Sequence, residues 1–323
     1  MRSLLEGLSA HRGRGACTDA ERRAALWLHD ELRPRGHAAW VETRWVRPQW
    51  AAALAIGSLL AVAGSLVSTA ASVAGLVLAV AGLATMVLRP FPRRATQHVL
   101  TAVPDDGVVL AIAAPYDVPR RGTIDQRRLR GPGPALCALA IVAATAARVA
   151  AFEPGWLGAV QLVPTLALLL AGAAAAEAAL SSWAEGDAGP AAVAVTLLDE
   201  LTREPPRALE PALLLAGAGH ALPGTAARQL RRERLGAERV VVLHLVDGPL
   251  FWAARHPQLR AAAGRAAAAL ALDPPEKRIA PTRLPVIRIG CADGEAALDL
   301  ALGVVDALDA ELSARAGDAR PRA

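Results

Sequence analysis

From Trp50 to Leu88 the chain carries no charged residue. One helix of roughly 39 residues at 1.5 Å per residue would extend nearly 60 Å, about twice the hydrocarbon thickness of a bilayer. Two apolar helices with a turn near Ser65–Thr69 fit the run better, so a helical hairpin is expected over 50–88. A second apolar block over 132–180 is broken by Arg148, Glu153, Pro154 and Gly155. It reads as a second hairpin, with Pro164 interrupting its last helix. The competing reading for both blocks is a set of Ala-rich helices buried in a soluble core. Length and missing charge weigh against that reading, more heavily for the first block.

The flanks predict an orientation. Arg44, Arg47, Arg89, Arg93 and Arg94 bracket the first block, and Arg120, Arg121, Arg127, Arg128 and Arg130 precede the second. The positive-inside rule then places the segments outside both hairpins in the cytoplasm, making this a multi-pass protein of the cell membrane with the lipid bilayer as its first partner. Nearly all the positive charge is arginine, Lys277 being the sole lysine, and the net charge is +5. The arginines are scattered and lack interleaved aromatic residues, which argues against a nucleic-acid partner. Cys17, Cys137 and Cys291 are odd in number and widely separated, giving neither a disulfide framework nor a thiolate zinc site. Residues 1–50 mix acidic and basic side chains throughout and do not read as a secretory signal.

The remaining pieces alternate between the two periodicities. Helices are expected over 19–33, 189–202, 224–235 and 295–314, and strands over 37–46, 97–103, 108–114, 209–216, 240–246 and 284–289. This alternation predicts an α/β fold with a mixed, mostly parallel sheet flanked by helices. The expected organisation is one α/β domain interrupted twice: parts 1–49, 89–131 and 181–315, hairpins 50–88 and 132–180, and a disordered tail at 316–323.

Open α/β sheets bind ligands beyond the carboxyl ends of their strands. Three runs matter here: VVLAIAA leading into Pro115-Tyr116-Asp117, PALLLA leading into Gly217-Ala218-Gly219-His220, and VVVLHLV leading into Asp247-Gly248. With the opening AERRAALWL helix, Gly36-His37 and DAGPAAVAVTLLDEL starting at Asp187, these runs resemble metallopeptidase family 28, the co-catalytic di-zinc aminopeptidases. The likeness lies in the order, spacing and strand–helix context of the motifs, none of which is intact. It implies the zinc-aminopeptidase fold, a sandwich of the phosphorylase/hydrolase type.

That chemistry requires two zinc ions and a carboxylate base that deprotonates the bridging water. Carried over by position, the first ligand histidine falls on Pro115 and the general base on Gly219, neither of which has a suitable side chain. Asp187, His220 and Asp247 remain at ligand positions, with Asp117 at the position that would orient the absent histidine. The loop Arg288–Gly294, where a last histidine ligand would lie, has none.

The leading expectation is therefore a catalytically inactive relative, a pseudoenzyme without a cofactor that serves as a binding module for a protein or peptide. The alternative is an aminopeptidase or amidohydrolase with one zinc on Asp187, His220 and Asp247. A channel component ranks last, because paired intramembrane charges are missing. Gly217-Ala218-Gly219 lacks the third glycine of a dinucleotide loop, and no G-x-S-x-G elbow occurs. His244, inside an apolar strand, reads as a hydrogen-bonded core residue, and Glu177 as an interfacial one.

Overall fold

The computed structural model describes residues 1–103, 107–120, 129, 131–152, 156–183, 188–218, 239–277 and 284–318. Along the chain the elements are α1 (Arg2–Ala10), α2 (Asp19–Leu32), β1 (Ala39–Val46), α3 (Trp50–Val67), α4 (Ser72–Leu88), β2 (Arg94–Thr101) and β3 (Val108–Pro115). Then come α5 (Gly133–Val149), α6 (Leu157–Leu180), α7 (Gly189–Arg203), β4 (Leu209–Ala216), β5 (Val240–Val246), β6 (Trp252–Ala254), α8 (Pro257–Ala269), β7 (Val286–Gly290) and α9 (Gly294–Asp318). The chain divides into two compact units, Met1–Arg44 with Ala95–Pro119 and Glu185–Ala323, and Trp45–Arg94 with Arg120–Ala184.

The first unit is built on a seven-stranded sheet in the order β1-β2-β4-β3-β5-β7-β6. β4, β3, β5 and β7 run parallel, while β2 and β6 are antiparallel to their neighbours β4 and β7. The four central strands are nearly unbroken apolar runs because both faces of a parallel sheet are covered. One face presents Leu110, Ile112, Leu213, Leu243, Leu245 and Ile287 to the buried sides of α1, α2, α7, α8 and α9. The other face presents Val109, Ala111, Ala113, Leu214 and Val242, against which Val103 and Leu284 pack among the described residues.

Local signals explain the helix starts. Thr18 caps α2 by accepting the Glu21 N–H at 3.1 Å, and Asp19 and Glu21 complement the helix dipole. Ala24, Ala25, Leu28 and Leu32 then form its buried stripe. β1 begins at Ala39 rather than residue 37, and ahead of it the His37 ring pairs with Asp199 at 2.8 Å. α9 continues through Asp318, past the expected boundary at 315, and an Arg315–Glu311 pair at 2.8 Å supports its last turns. The expected helix at 224–235 lies outside the described residues. The sequence reading assigns no element to α1, β6 or α8: α1 is short, β6 has three residues, and α8 is too rich in alanine for strong contrast.

The second unit is four apolar helices. By length and composition α3 and α6 suffice to cross a membrane, while α4 and α5 have 17 residues each. Its packing relies on small residues. A Cβ on Gly57 would lie 2.8 Å from Gly82 O and 2.5 Å from Met86 Cγ, and one on Gly64 would lie 2.6 Å from Gly75 O. Backbones approach this closely only where side chains are absent.

Polar groups sit inside this unit. The Gln161 amide donates to Ser65 Oγ at 2.8 Å, the Ser65 and Thr165 hydroxyls are 2.7 Å apart, and Thr165 donates to Gln161 O at 2.7 Å. Large apolar side chains face outward instead, among them Leu59, Leu66, Val77, Val163 and Leu170. Contrary to expectation, α6 runs unbroken through Pro164. Proline removes one N–H from the ladder, and side-chain bonds such as that of Thr165 tie the neighbouring turn together.

Candidate functional site at the carboxyl edge of the sheet

Strand register fixes the site. Pro115 pairs with Ala216, Ala113 with His244, and Val246 with Gly290, so β4, β3, β5 and β7 all end at one level. Whatever follows these strands must share one edge. The described residues there are Tyr116 and Asp117 after β3, Gly217 and Ala218 after β4, Asp247 and Gly248 after β5, and Cys291 to Asp293 after β7.

Pro115 is half-buried and supplies only strand backbone at the position where the resemblance calls for a ligand imidazole. Asp117 is half-buried beyond it, and Asp247 is exposed. Asp187, Gly219 and His220 lie outside the described residues, so their approach to Asp117 and Asp247 forms no part of this geometry. Among the described residues, no three His, Cys, Asp or Glu side chains are grouped to hold a metal. His244 is buried in β5 and His98 in β2, where its Nδ1 lies 3.0 Å from Gln97 O.

The densest chemistry at this edge belongs to residues that sequence reasoning did not single out. Glu21, 1% exposed, reaches from the first turn of α2 to the ends of β2 and β4. The Thr96 hydroxyl donates to its Oε1 and the Cys17 N–H to its Oε2, with the Gln97 and Ala218 N–H groups as further donors. Burial pushes its carboxyl up to about 7, against the opposing pull of these donors.

Gly217 makes this packing possible, since a Cβ there would lie 1.8 Å from Glu21 Oε1 and 2.6 Å from Gln97 O. Tyr116 is also buried and donates its hydroxyl to Gln97 O at 2.8 Å. Its own ionisation is driven up by burial, then by the charges of Glu21, Asp117 and Cys17.

Arg14 clamps the same segment from the chain's first loop. Its side chain is 2% exposed and donates to Tyr116 O at 2.7 Å and Leu8 O at 3.0 Å. Val118 N–H donates to Arg14 O at 3.0 Å. The spacing Thr18-x-x-Glu21 is a capping-box signal that could have drawn attention to Glu21. Its carboxylate reaches back one residue beyond the cap, to Cys17, and only the fold brings Thr96 and Gly217 to it.

The loop after β7 is stitched down. Cys291 N–H donates to Val246 O at 3.0 Å and Ala292 N–H to Gly248 O at 2.8 Å, and Gly248 adopts φ +124°. This loop and the N-terminus of α7 border a cleft of about 380 Å³, lined by Met1, Leu5, Gly189, Cys291, Asp293 and Glu295. Asp293 is committed to capping α9, accepting the Ala296 N–H at 3.1 Å. The described edge is thus a hydrogen-bonded platform with two further carboxylates, Asp117 and Asp247.

No protein-family profile matches the chain, and no curated protein matches it by sequence. Solved structures do match. A zinc aminopeptidase from Bacillus subtilis aligns at a TM-score of 0.51 and 10% identity, over 96% of this chain and 93% of that one. A glutaminyl cyclase from Porphyromonas gingivalis aligns at 0.51 and 10% identity, over 96% of each chain. An aminopeptidase from Aneurinibacillus sp. strain AM-1 aligns at 0.50 and 10% identity, over 94% and 91%. At this identity the likeness concerns architecture: the chain has the mixed α/β fold, with a mostly parallel seven-stranded sheet, that these aminopeptidases and glutaminyl cyclase share.

Proposed function

We propose that this chain is a membrane-anchored, aminopeptidase-like module that uses its fold to bind a protein or peptide and does not perform di-zinc hydrolysis. The observation that carries this reading is Pro115 at the level carboxyl edge, in register with Ala216. A di-zinc site of the family's kind needs an imidazole there, and the pyrrolidine ring has no lone pair to donate. The neighbouring Tyr116 is turned inward onto Gln97 O and cannot substitute.

The inside-out packing of the helical unit supports the anchor. Polar side chains are paired within it, while Leu59, Val77, Val163 and Leu170 face outward. Trp45 precedes α3 and Trp50 opens it, Trp156 precedes α6 and Trp183 follows it, as amphipathic rings at membrane interfaces do. The arginine flanks favour a cytoplasmic position for the α/β unit.

The alternative is a metal-dependent hydrolase with one zinc held by Asp187, His220 and Asp247, with Asp117 orienting a ligand. It is favoured by the surviving donors, since three protein ligands suffice for a catalytic zinc. It lacks a carboxylate at Gly219, and losing a general base costs about 10²–10⁴-fold.

Two measurements test the proposal. Protein purified in detergent should hold less than one zinc per chain and show no chelator-sensitive release of an N-terminal residue from aminoacyl substrates. Stoichiometric zinc lost on His220→Ala, with such cleavage, would instead establish the alternative. Reporters fused after Arg94 and Ala314 should both read cytoplasmic, and opposite sides would refute the topology.

A further inference from the structure

Four arginines stand at the foot of the first hairpin without a partner among the described residues. Arg47 precedes α3, and Arg89, Arg93 and Arg94 follow α4, all four exposed. None of their side chains makes a hydrogen bond or ion pair with a described residue, whereas Arg35, Arg44, Arg203, Arg260 and Arg265 each pair with a carboxylate.

The hairpin packing places all four at its open end. Gly57 faces Gly82, and Gly64 faces Gly75, so α3 and α4 run antiparallel in constant register. Carried down two turns, that register sets Trp50 level with Arg89; Arg47 stands three residues before α3, and Arg93 and Arg94 follow Arg89 by four and five residues. Arg89 is also the left-handed cap of α4, at φ +48°, where the chain turns off the helix. Arg120, by contrast, is committed: its guanidinium lies 4.4 Å from the Trp183 ring centroid and donates to Ala179 O and Ser181 O at 2.8 and 2.9 Å.

Like charges gathered at one end of an apolar hairpin, with no carboxylate partner among the described residues, repel one another unless an anion joins them. The adjoining surface is apolar, with Val87 and Leu88 exposed in the last turn of α4. An anion that fits must carry phosphate chemistry on an apolar body, because arginine forks match phosphate oxygens and the neighbouring surface matches acyl chains.

We propose that Arg47, Arg89, Arg93 and Arg94 form a collar that binds the headgroup phosphates of anionic phospholipids. This inference rests on the membrane reading above. Near a membrane surface each arginine contributes about fivefold to attraction for anionic lipid, so the collar selects such lipid from a mixed bilayer.

The test uses the full chain reconstituted in vesicles of phosphatidylcholine and phosphatidylglycerol at 7:3. The bilayer is extracted with mild detergent, and the lipid retained by the purified protein is measured by mass spectrometry. Phosphatidylglycerol should be enriched at least fivefold over its bulk ratio. Extraction at 0.5 M salt should lower that enrichment severalfold, a readout that needs no variant. The quadruple Arg→Gln variant, checked by circular dichroism for unchanged helix content, should retain lipid at the bulk ratio. Retention at the bulk ratio by wild-type protein that resists carbonate extraction overturns the collar and leaves the membrane reading standing. Protein released from vesicles by carbonate overturns both.

Discussion

Gly217→Ala probes the link between α2 and the exit of β4. The added methyl would sit 1.8 Å from Glu21 Oε1, 2.5 Å from Thr96 Oγ1 and 2.6 Å from Gln97 O. Relief has two routes. Moving the Glu21 carboxylate breaks hydrogen bonds to a charged group, at about 1.5–3 kcal/mol each. Moving β4 away from Gln97 overpacks a buried site, at about 1–3 kcal/mol. Either route costs about 3 kcal/mol, which corresponds to roughly a hundredfold change in a local opening equilibrium. Hydrogen exchange of the protein in detergent micelles would read this as a hundredfold loss of protection in the first turns of α2 and at Ala216 and Gly217. Glu21→Ala removes the nearest clashing oxygen and leaves Gln97 O at 2.6 Å, so Gly217→Ala in that background should cost less than in wild type but still about 1–2 kcal/mol, a coupling that a double-mutant cycle isolates. Protection within threefold of wild type, or strictly additive costs, would refute the contact as the cause.

Glu21 should also make the α/β unit pH-sensitive. Its carboxyl is raised from 4.5 to about 7, so the unfolded chain releases the proton first. Stability should therefore be highest below about pH 4.5 as far as this group is concerned, fall as pH rises through 7, and lose about 3 kcal/mol in all. Glu21→Ala should flatten this limb of an exchange-derived stability profile, and an unchanged slope would assign it elsewhere. In the helical unit, Gly64→Leu should force α3 from α4, because Gly75 O stands 2.6 Å from any Cβ there; a disulfide placed across the hairpin should then form far more slowly than in wild type. Gln161→Leu should cost about 0.6–2 kcal/mol by removing the donor that joins α6 to Ser65, measured by steric trapping or detergent denaturation. Pro115→His alone should not create a dinuclear site, and zinc per chain after dialysis should remain below one.

The sequence alone determined much of the architecture. Val108–Ala114, Leu209–Ala216 and Val240–Val246 are strands in the structure within a residue of their expected ends. Nearly unbroken apolar runs of that length fit strands covered on both faces of a parallel sheet, and they lead into turn residues. The first hairpin was equally legible, since a long charge-free run leaves few places for a break, and the helices end at Val67 and resume at Ser72.

The Glu21 cluster was not legible. Its parts come from α2, β2 and the exit of β4, far apart in the chain, and each looks ordinary alone: a capping acid, a strand threonine and a glycine after a strand. Pairing of β2 with β4 across His98 and Ala216 brings Thr96 and Gly217 onto one carboxylate. Periodicity records which face of an element is buried but not which distant atom will meet it, so the polar contacts at the sheet edge were decided by tertiary structure alone.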